Sequence, residues 1–281
     1  MTGPFPRSLG VVGLGLMGGC LARGLKAAAP GARVVAVEPD GSVRARALAE
    51  GVADLALAEA GPALAECDLV ALCTPIAAIE GLLGPVSRLL PDGAVLTDVG
   101  GAKERVLAAA RREVRPGVEF VGGHPMFGGR GGFDSSRADR WQGGTVALCT
   151  DDASPEALGR VEALHRGLGA EVLRCTATEH DAAVAMVSHL PYLVACALTL
   201  AVKEAGPLAA ALAGPGLDGM TRLAGFAFDI QGEVARRNAH LPETARRLQE
   251  RLARILADIA TSPDGARAAL EEARAFREEL F

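Results

Sequence analysis

The stretch Leu9-Gly10-Val11-Val12-Gly13-Leu14-Gly15-Leu16-Met17-Gly18 decides the fold, because a short apolar strand runs directly into a G-x-G-x-x-G turn. Gly13 permits the tight turn, Gly15 lets a pyrophosphate approach the backbone, and Gly18 allows the next helix to pack against the strand. That helix, predicted over 19–29, offers its N-terminal amides to the anion. We therefore predict a dinucleotide site lined by Gly13, Leu14, Gly15, Leu16, Met17 and Gly18.

A carboxylate follows the second predicted strand, which covers 33–37. Glu38 lies twenty positions after Gly18, where a carboxylate binds the hydroxyls of an adenosine ribose and repels a 2′-phosphate. The expected cofactor is NAD. NADP stays open, because Arg44 and Arg46 come a few residues later and partly offset the repulsion.

Short apolar runs and helix-like stretches alternate through the rest of the first half. Strands are predicted over 68–73, 94–99, 118–121, 145–149 and 171–174, and helices over 42–50, 77–90, 103–114 and 155–168. This alternation predicts an α/β fold, a doubly wound and mainly parallel sheet in a Rossmann-like domain of residues 1–175. Ligands bind beyond the carboxyl ends of such strands, so Thr74, Pro75 and Gly100 are further candidates for cofactor binding.

A histidine lies in the glycine-rich segment Gly122-Gly123-His124-Pro125-Met126-Phe127-Gly128, directly after a predicted strand. The glycines let backbone and substrate approach closely, and Pro125 stiffens the turn. Imidazole has the unperturbed pKa nearest neutrality, which suits acid-base chemistry. The alternative is a histidine that only caps a turn.

The strand signals stop near residue 178, and helical patterns take over. Thr178 with Asp181 predicts a helix N-terminus, followed by an apolar run over 182–202. The run is long enough to cross a membrane. His189 and Pro191 near its middle, with no second such segment, instead favour burial within protein, so no membrane partner is expected.

Burial of that run in a chain of this size calls for a second subunit. The last part of the chain carries an apolar helical face made of Leu248, Leu252, Ile255, Leu256 and Ile259. We predict that residues 176–281 form an all-helical domain. We expect it to join two copies of the chain into a homodimer through the C-terminal helices.

Composition narrows the function classes. The 281 residues are 49% hydrophobic and 22% charged, with a net charge of −5, which argues against a nucleic-acid partner. The six cysteines form no C-x-x-C pair and no cluster with histidine, so neither a metal site nor disulfides are expected. Residues 1–8 lack the pattern of a secretion signal, and a cytoplasmic location is predicted.

Several motifs together resemble the prephenate and arogenate dehydrogenases. They are the dinucleotide fingerprint, Thr74-Pro75, Asp98-Val99-Gly100, Gly122-Gly123-His124-Pro125-Met126 and Ser188-His189-Leu190-Pro191, in that order. The resemblance implies an NAD(P) domain followed by a helical dimerisation domain. It also implies an oxidoreductase of tyrosine biosynthesis, an aromatic amino acid pathway, that oxidises and decarboxylates prephenate to 4-hydroxyphenylpyruvate.

The same resemblance assigns roles to four residues. His124 matches the catalytic histidine that takes the proton of the C4 hydroxyl, and His189 matches a second histidine at the substrate. Arg222 matches an arginine that grips a substrate carboxylate, for which a planar fork of donors is suited. Gly101 occupies a substrate-binding position where the family usually has serine, and Arg130 stands where an acidic residue is frequent.

Other functions stay open at the level of sequence. The substrate is prephenate, arogenate or the 4-amino-4-deoxy analogue of prephenate. A β-hydroxyacid dehydrogenase shares the opening fingerprint, but it needs a catalytic lysine with a following asparagine, and Lys203 lacks that context. A non-catalytic NAD-binding sensor would have no use for His124.

Overall fold

Six parallel strands form the main sheet of the computed structural model, which describes residues 5–280. The strands are β1 (Ser8–Val12), β2 (Arg33–Val37), β3 (Leu55–Leu57), β4 (Leu69–Leu72), β5 (Val95–Asp98) and β6 (Glu119–Val121). Their order is β3-β2-β1-β4-β5-β6, which is the doubly wound order of dinucleotide-binding sheets. The predicted fold class is confirmed, although the short strand β3 was not foreseen.

Helices cover both faces of this sheet. They are α1 (Leu16–Ala28), α2 (Gly41–Ala49), α3 (Ile76–Ser87) and α4 (Glu104–Glu113). Successive strand residues point to opposite faces, so Val11 packs in one core with Leu21 of α1, whereas Val12 packs in the other with Leu83 of α3. This two-sided burial explains why the strands read as continuous apolar runs.

The last three strands form a second sheet, where the sequence predicted one continuous sheet. It contains β7 (Gly123–Pro125), β8 (Thr145–Cys149) and β9 (Glu171–Cys175), and α5 (Pro155–Gly167) connects β8 to β9. β7 runs antiparallel to β8, and β8 runs parallel to β9. The chain changes sheets at Gly122, where a Cβ atom would lie 2.6 Å from Leu107 Cδ1. His124 therefore lies within a strand of the second sheet.

Helices make up the described chain after β9. They are α6 (Ala177–Val184), α7 (Leu190–Glu204), α8 (Pro207–Ala211), α9 (Pro215–Thr221), α10 (Phe228–Arg237), α11 (Leu241–Thr261) and α12 (Pro263–Leu280). A π-helical turn, Ala185–His189, joins α6 to α7, and a 3₁₀ turn, Arg222–Gly225, lies between α9 and α10. The expected helical region after the sheets is confirmed.

The N-terminus of α6 corrects one prediction. Thr176, not Thr178, caps the helix: its hydroxyl accepts the Glu179 amide, and the Glu179 carboxylate accepts the Thr176 amide at 2.8 Å. Thr178 lies inside the helix, and its hydroxyl donates to Glu104 at 2.7 Å. The reciprocal capping box satisfies two amides at once, which a single Thr178 cap does not.

Two compact units divide the chain, the first ending at Asn238 and the second beginning at Ala239. The second consists of α11 and α12, and Leu252 and Leu256 of its predicted apolar face are more than half exposed. In the first unit, Ala177–Glu204 is the one helical stretch among residues 5–280 that is long and apolar enough to cross a membrane. Its π-helical turn and its buried His189 make it irregular for such a span.

Candidate active site

The turn after β1 has the shape that a dinucleotide requires. Gly13 has a φ of 97°, which favours glycine. A Cβ atom on Gly18 would overlap the carbonyl oxygen of Gly13, so only glycine lets α1 pack this closely, whereas a Cβ on Gly15 would meet nothing within 4 Å. α1 begins at Leu16, earlier than predicted, and the amides of its first turn lie beside that open space.

Glu38 lies beside this turn, as its position at the end of β2 predicts. Its Oε2 accepts the Leu14 amide at 2.9 Å, which holds the carboxylate against the fingerprint. The Arg44 guanidinium also lies here and donates to the Glu38 carbonyl at 2.7 Å, whereas Arg46 forms an ion pair with Asp134. Only Arg44 is therefore placed to offset the charge of Glu38.

Thr74 and Pro75 follow β4 on the other side of the fingerprint. A Cβ atom on Gly13 would lie 2.9 Å from Thr74 Cγ2, and Thr74 Oγ1 is buried without a hydrogen-bonding partner. Buried hydroxyls are normally paired, so an orphaned one beside the fingerprint fits a site that a polar ligand completes. Pro75 is exposed and precedes the first turn of α3.

A buried ion pair fixes the strand that carries His124. Lys103 Nζ lies 2.5 Å from Asp98 Oδ2, and both side chains are fully buried. Asp98 also accepts the amides of Gly100 at 2.8 Å and of Gly123 at 3.1 Å, while Lys103 donates to the Gly123 carbonyl at 2.8 Å. The pair therefore holds the backbone of Gly123 at both its donor and its acceptor.

His124 belongs to a hydrogen-bonded row of three side chains. Its Nδ1 lies 2.9 Å from His180 Nε2, and His180 Nδ1 lies 2.7 Å from Asp181 Oδ1. His180 is 4% exposed and Asp181 is fully buried. A carboxylate can only accept, so His180 donates from Nδ1 and accepts at Nε2 from His124 Nδ1. The free lone pair of neutral His124 is then at Nε2.

Asp181 anchors this row to the start of α4. Its two oxygens accept the amides of Lys103 at 2.7 Å and Glu104 at 3.0 Å, at the start of α4. Burial alone would raise the pKa of Asp181, but the hydrogen bonds from His180, Glu104 and Lys103 outweigh it and lower that pKa. Asp181 is thus a charged acceptor at neutral pH.

The electrostatics keep His124 neutral. Burial is the largest cause that holds the pKa of His124 well below its usual value of 6.5, and the positive charge of Lys103 acts in the same direction. A neutral imidazole with a free Nε2 is able to accept a proton.

Gly101 and His189 lie next to His124. A Cβ atom at position 101 would be 3.5 Å from His124 Nε2 and 3.0 Å from Val234 Cγ1, so Val234 of α10 fills space that a serine side chain would need. His189 Nδ1 accepts from the amide of Asn238 at 3.0 Å, and Asn238 also donates to the Asp181 carbonyl. Burial lowers the pKa of His189, against the opposing effects of Asp181 and the Gly101 backbone.

Among residues 5–280, no hydrogen bond or ion pair joins the side chain of Arg222 to this cluster. Its side chain is exposed in the 3₁₀ turn before α10, and its carbonyl accepts from Arg130. The sequence prediction, in turn, missed Lys103, His180 and Asn238, and it gave Asp181 only a capping role. The Thr176 capping box was the available signal, because it sets which face of α6 carries His180 and Asp181.

A doubly wound nucleotide site beside a neutral, oriented imidazole defines the class of pyridine-nucleotide oxidoreductases. Comparison with known proteins specifies the family. Residues 21–174 match the family model of the prephenate dehydrogenase nucleotide-binding domain, and residues 176–265 match that of the prephenate dehydrogenase dimerization domain. The chain belongs to the prephenate dehydrogenase family, which confirms the resemblance.

Individual relatives are named after different substrates. The chain is 29% identical over 191 residues to a cyclohexadienyl dehydrogenase of Zymomonas mobilis, covering 67% of this chain and 65% of the relative. It is 28% identical over 223 residues to a prephenate dehydrogenase of Bacillus subtilis, covering 76% and 59%. The chain thus spans less than two thirds of the length of these relatives.

A solved structure covers the whole fold. The arogenate dehydrogenase of Synechocystis superposes with a TM-score of 0.85 at 28% identity, covering 98% of this chain and 100% of that structure. Prephenate, arogenate and cyclohexadienyl dehydrogenases therefore resemble this chain to nearly the same degree. The degree of similarity does not separate their substrates.

Glu38→Ser should narrow the preference for NAD over NADP. The Glu38 carboxylate repels a 2′-phosphate, whereas Arg44 attracts one. Removal of the carboxylate should therefore favour NADPH binding by about 1 to 3 kcal/mol, the usual scale of one charged contact. Calorimetric titration of the protein with NADH and NADPH measures the change. Glu50→Ser is the matched control, because Glu50 pairs with Arg23 on α1 and should leave the ratio unchanged. Tighter binding of NADPH than NADH by the unmutated protein would contradict the role of Glu38.

Proposed function

We propose that the protein is an NAD-dependent prephenate dehydrogenase, which converts prephenate to 4-hydroxyphenylpyruvate and CO2 in tyrosine biosynthesis. One observation carries the proposal: the row Asp181, His180 and His124 leaves a free imidazole nitrogen beside Gly101. A base at that point matches the chemistry of a cyclohexadienol, whose hydroxyl proton must leave as its carbon is oxidised.

The cofactor fits the residues of the first domain. The fingerprint Gly13 to Gly18 would hold the pyrophosphate, Glu38 the adenosine ribose, and Thr74, Pro75 and Gly100 would line the same crevice at the strand ends. When bound, NAD supplies the hydride acceptor for C4 of the substrate. Loss of the ring carboxylate as CO2 accompanies that oxidation, and formation of the aromatic ring favours it.

Three residues of this chain act on the proton of the substrate hydroxyl. His124 Nε2 accepts the proton of the C4 hydroxyl, which gives the imidazole a positive charge. His180 accepts the hydrogen bond from His124 Nδ1, and the Asp181 carboxylate orients His180 in turn. This arrangement fixes the tautomer of His124 before substrate binds and stabilises the charge that develops during the step.

Arg222 and His189 are proposed to bind the substrate. Arg222 presents an exposed guanidinium with the right shape for a carboxylate, and His189 lies near Gly101 beside the base. Gly101 is also proposed to lie at the substrate, because a Cβ atom at this position would be 3.5 Å from His124 Nε2.

Alternative functions meet specific obstacles. Lys203 is exposed on α7 and Lys103 is fully occupied by Asp98 and Gly123, so neither fits the free catalytic lysine of a β-hydroxyacid dehydrogenase. A sensor without catalysis has no use for a buried row that sets a histidine tautomer. Arogenate and the 4-amino analogue use the same base, and they stay as the alternative substrates.

A cytoplasmic enzyme is proposed, with a small molecule as its substrate. All six cysteines are free thiols, and four of them are buried, as suits a reducing compartment. Recovery of the native protein with the membrane fraction of its cells would contradict this location.

The helical region is proposed to form a homodimer. Val187 and Leu200 of the α6–α7 stretch are more than half exposed, as are Leu252 and Leu256 of α11, and such apolar faces on two segments suit a subunit interface. Leu256→Glu should therefore halve the molar mass measured by light scattering. Arg251→Glu, an exposed position on the same helix, is the control and should stay dimeric. A monomeric unmutated chain at micromolar concentration would refute the proposal.

Turnover of prephenate with NAD, followed by the absorbance of NADH, tests the activity itself. His124→Asn should lower kcat by roughly a hundred- to ten-thousandfold, the usual contribution of a positioned general base, and should leave NAD affinity unchanged. Because the pKa of His124 is lowered, the neutral form persists in acid and the acidic limb of kcat should lie below pH 6.5. A His124→Asn enzyme with normal turnover would show that the histidine is only a turn residue.

Asp181→Asn tests the row of hydrogen bonds. An amide can donate to His180 Nδ1, which reverses both tautomers and leaves a proton on His124 Nε2. The expected result is a roughly 10²- to 10⁴-fold lower kcat with unchanged NAD affinity, the scale of a wrong-tautomer error. Asp152→Asn is the control, since Asp152 forms an exposed ion pair with Arg111. A parallel loss of kcat and of NAD binding would indicate a folding defect instead.

A further inference from the structure

Arg130 reaches from the β7–β8 loop to the turn that carries Arg222. Its Nη2 donates to the Arg222 carbonyl at 3.3 Å, and its guanidinium lies 5.4 Å from the centre of the Phe226 ring. A Cβ atom on Gly225 would overlap Arg130 Nη2, so the guanidinium lies directly on the backbone there. Three contacts thus hold Arg130 against the segment 222–226.

Both arginines keep their charge free for a ligand. Neither guanidinium forms an ion pair with a carboxylate in the part of the chain that the structure describes, and both side chains are exposed. Two guanidinium groups on neighbouring segments without a carboxylate create a local excess of positive charge. Such a place attracts an anion and repels a second cation.

The loop that carries Arg130 also borders the cofactor crevice. The loop begins directly after β7, the strand that contains His124. Further along it, a Cβ atom on Gly129 would lie 3.4 Å from Leu16 Cδ2 at the start of α1. The turn that carries Arg222 packs against α7, which begins just after His189. Arg130 therefore bridges the elements that carry the base, the fingerprint and the proposed carboxylate-binding arginine.

We infer that Arg130 is a specificity-determining residue which, together with Arg222, selects a substrate with a 2-oxo acid side chain over one with a 2-amino acid side chain. The inference rests on the proposed function. The two side chains share a carboxylate and differ at the neighbouring carbon, which carries a neutral carbonyl in one and an ammonium group in the other. A second guanidinium beside Arg222 improves binding of the side chain with the neutral carbonyl and opposes binding of the side chain with the ammonium group.

The sign of the charge at position 130 would set which of the two substrate side chains is preferred. An acidic residue there would attract an ammonium group and compensate Arg222. An arginine reverses the preference without touching the base or the cofactor. Selection would then act on substrate binding and leave proton removal at His124 unchanged.

The test compares kcat/KM for prephenate and arogenate, with NAD, in four proteins. They are the unmutated enzyme, Arg130→Gln, Arg130→Glu and the control Arg137→Gln, whose arginine lies on the same loop and pairs with Asp139 at 3.2 Å. Arg130→Gln should raise KM for prephenate about tenfold with kcat nearly unchanged, the effect of one lost charged contact. Arg130→Glu should shift the ratio of the two substrates at least tenfold further towards arogenate, and Arg137→Gln should leave it unaltered.

The outcomes distinguish failure of the Arg130 inference from failure of the proposed function. An unmutated enzyme that turns over one substrate but keeps its substrate ratio in both Arg130 variants would overturn the role of Arg130 and leave the dehydrogenase function intact. A preference of the unmutated enzyme for arogenate would overturn the role of Arg130 and replace prephenate by arogenate as the substrate in the proposed function. Absence of turnover with either substrate would overturn the proposed function and the inference with it. Melting temperatures identify a variant that fails to fold, and Arg130→Gln then decides alone.

Discussion

The buried ion pair between Asp98 and Lys103 is the interaction on which the site depends. Removing one partner of such a pair leaves an uncompensated buried charge, at a cost of about 3 to 5 kcal/mol. Here the two charges also satisfy the backbone of Gly100, which follows β5, and of Gly123, which begins β7 in the second sheet. The pair therefore fixes where the first sheet ends, where the second begins and how His124 is presented.

Asp181 performs the corresponding task between the sheets and the helices. It receives the first amides of α4 with its two oxygens and the His180 imidazole with one of them. One fully buried carboxylate thus couples the position of a helix end to the tautomer of two histidines. Hydrogen bonds to charged groups are stronger than neutral ones, and burial leaves no water to replace them.

Sequence reasoning predicted the parts of the molecule that local rules determine. The fingerprint and Glu38 follow from spacing along one β-α-β unit, and the structure places them together. The partners of His124 do not follow from spacing, because 56 residues separate it from His180 and 78 separate Lys103 from Asp181. The split into two sheets was missed as well, because the apolar runs of β8 and β9 are the same in either arrangement and Gly123-His124-Pro125 has no apolar strand pattern.

The π-helical turn Ala185–His189 has a consequence for how the helical region evolves. An α-helix rotates by about 100° per residue, so nine residues would place His180 and His189 on opposite faces. The wider turn rotates less per residue, which brings both histidines towards the side that faces His124 and Gly101. The register of a helix, changed by a single inserted residue, thereby turns a second imidazole towards His124 and Gly101. Between His180 and His189, the number of residues therefore matters for the site as much as their identity does.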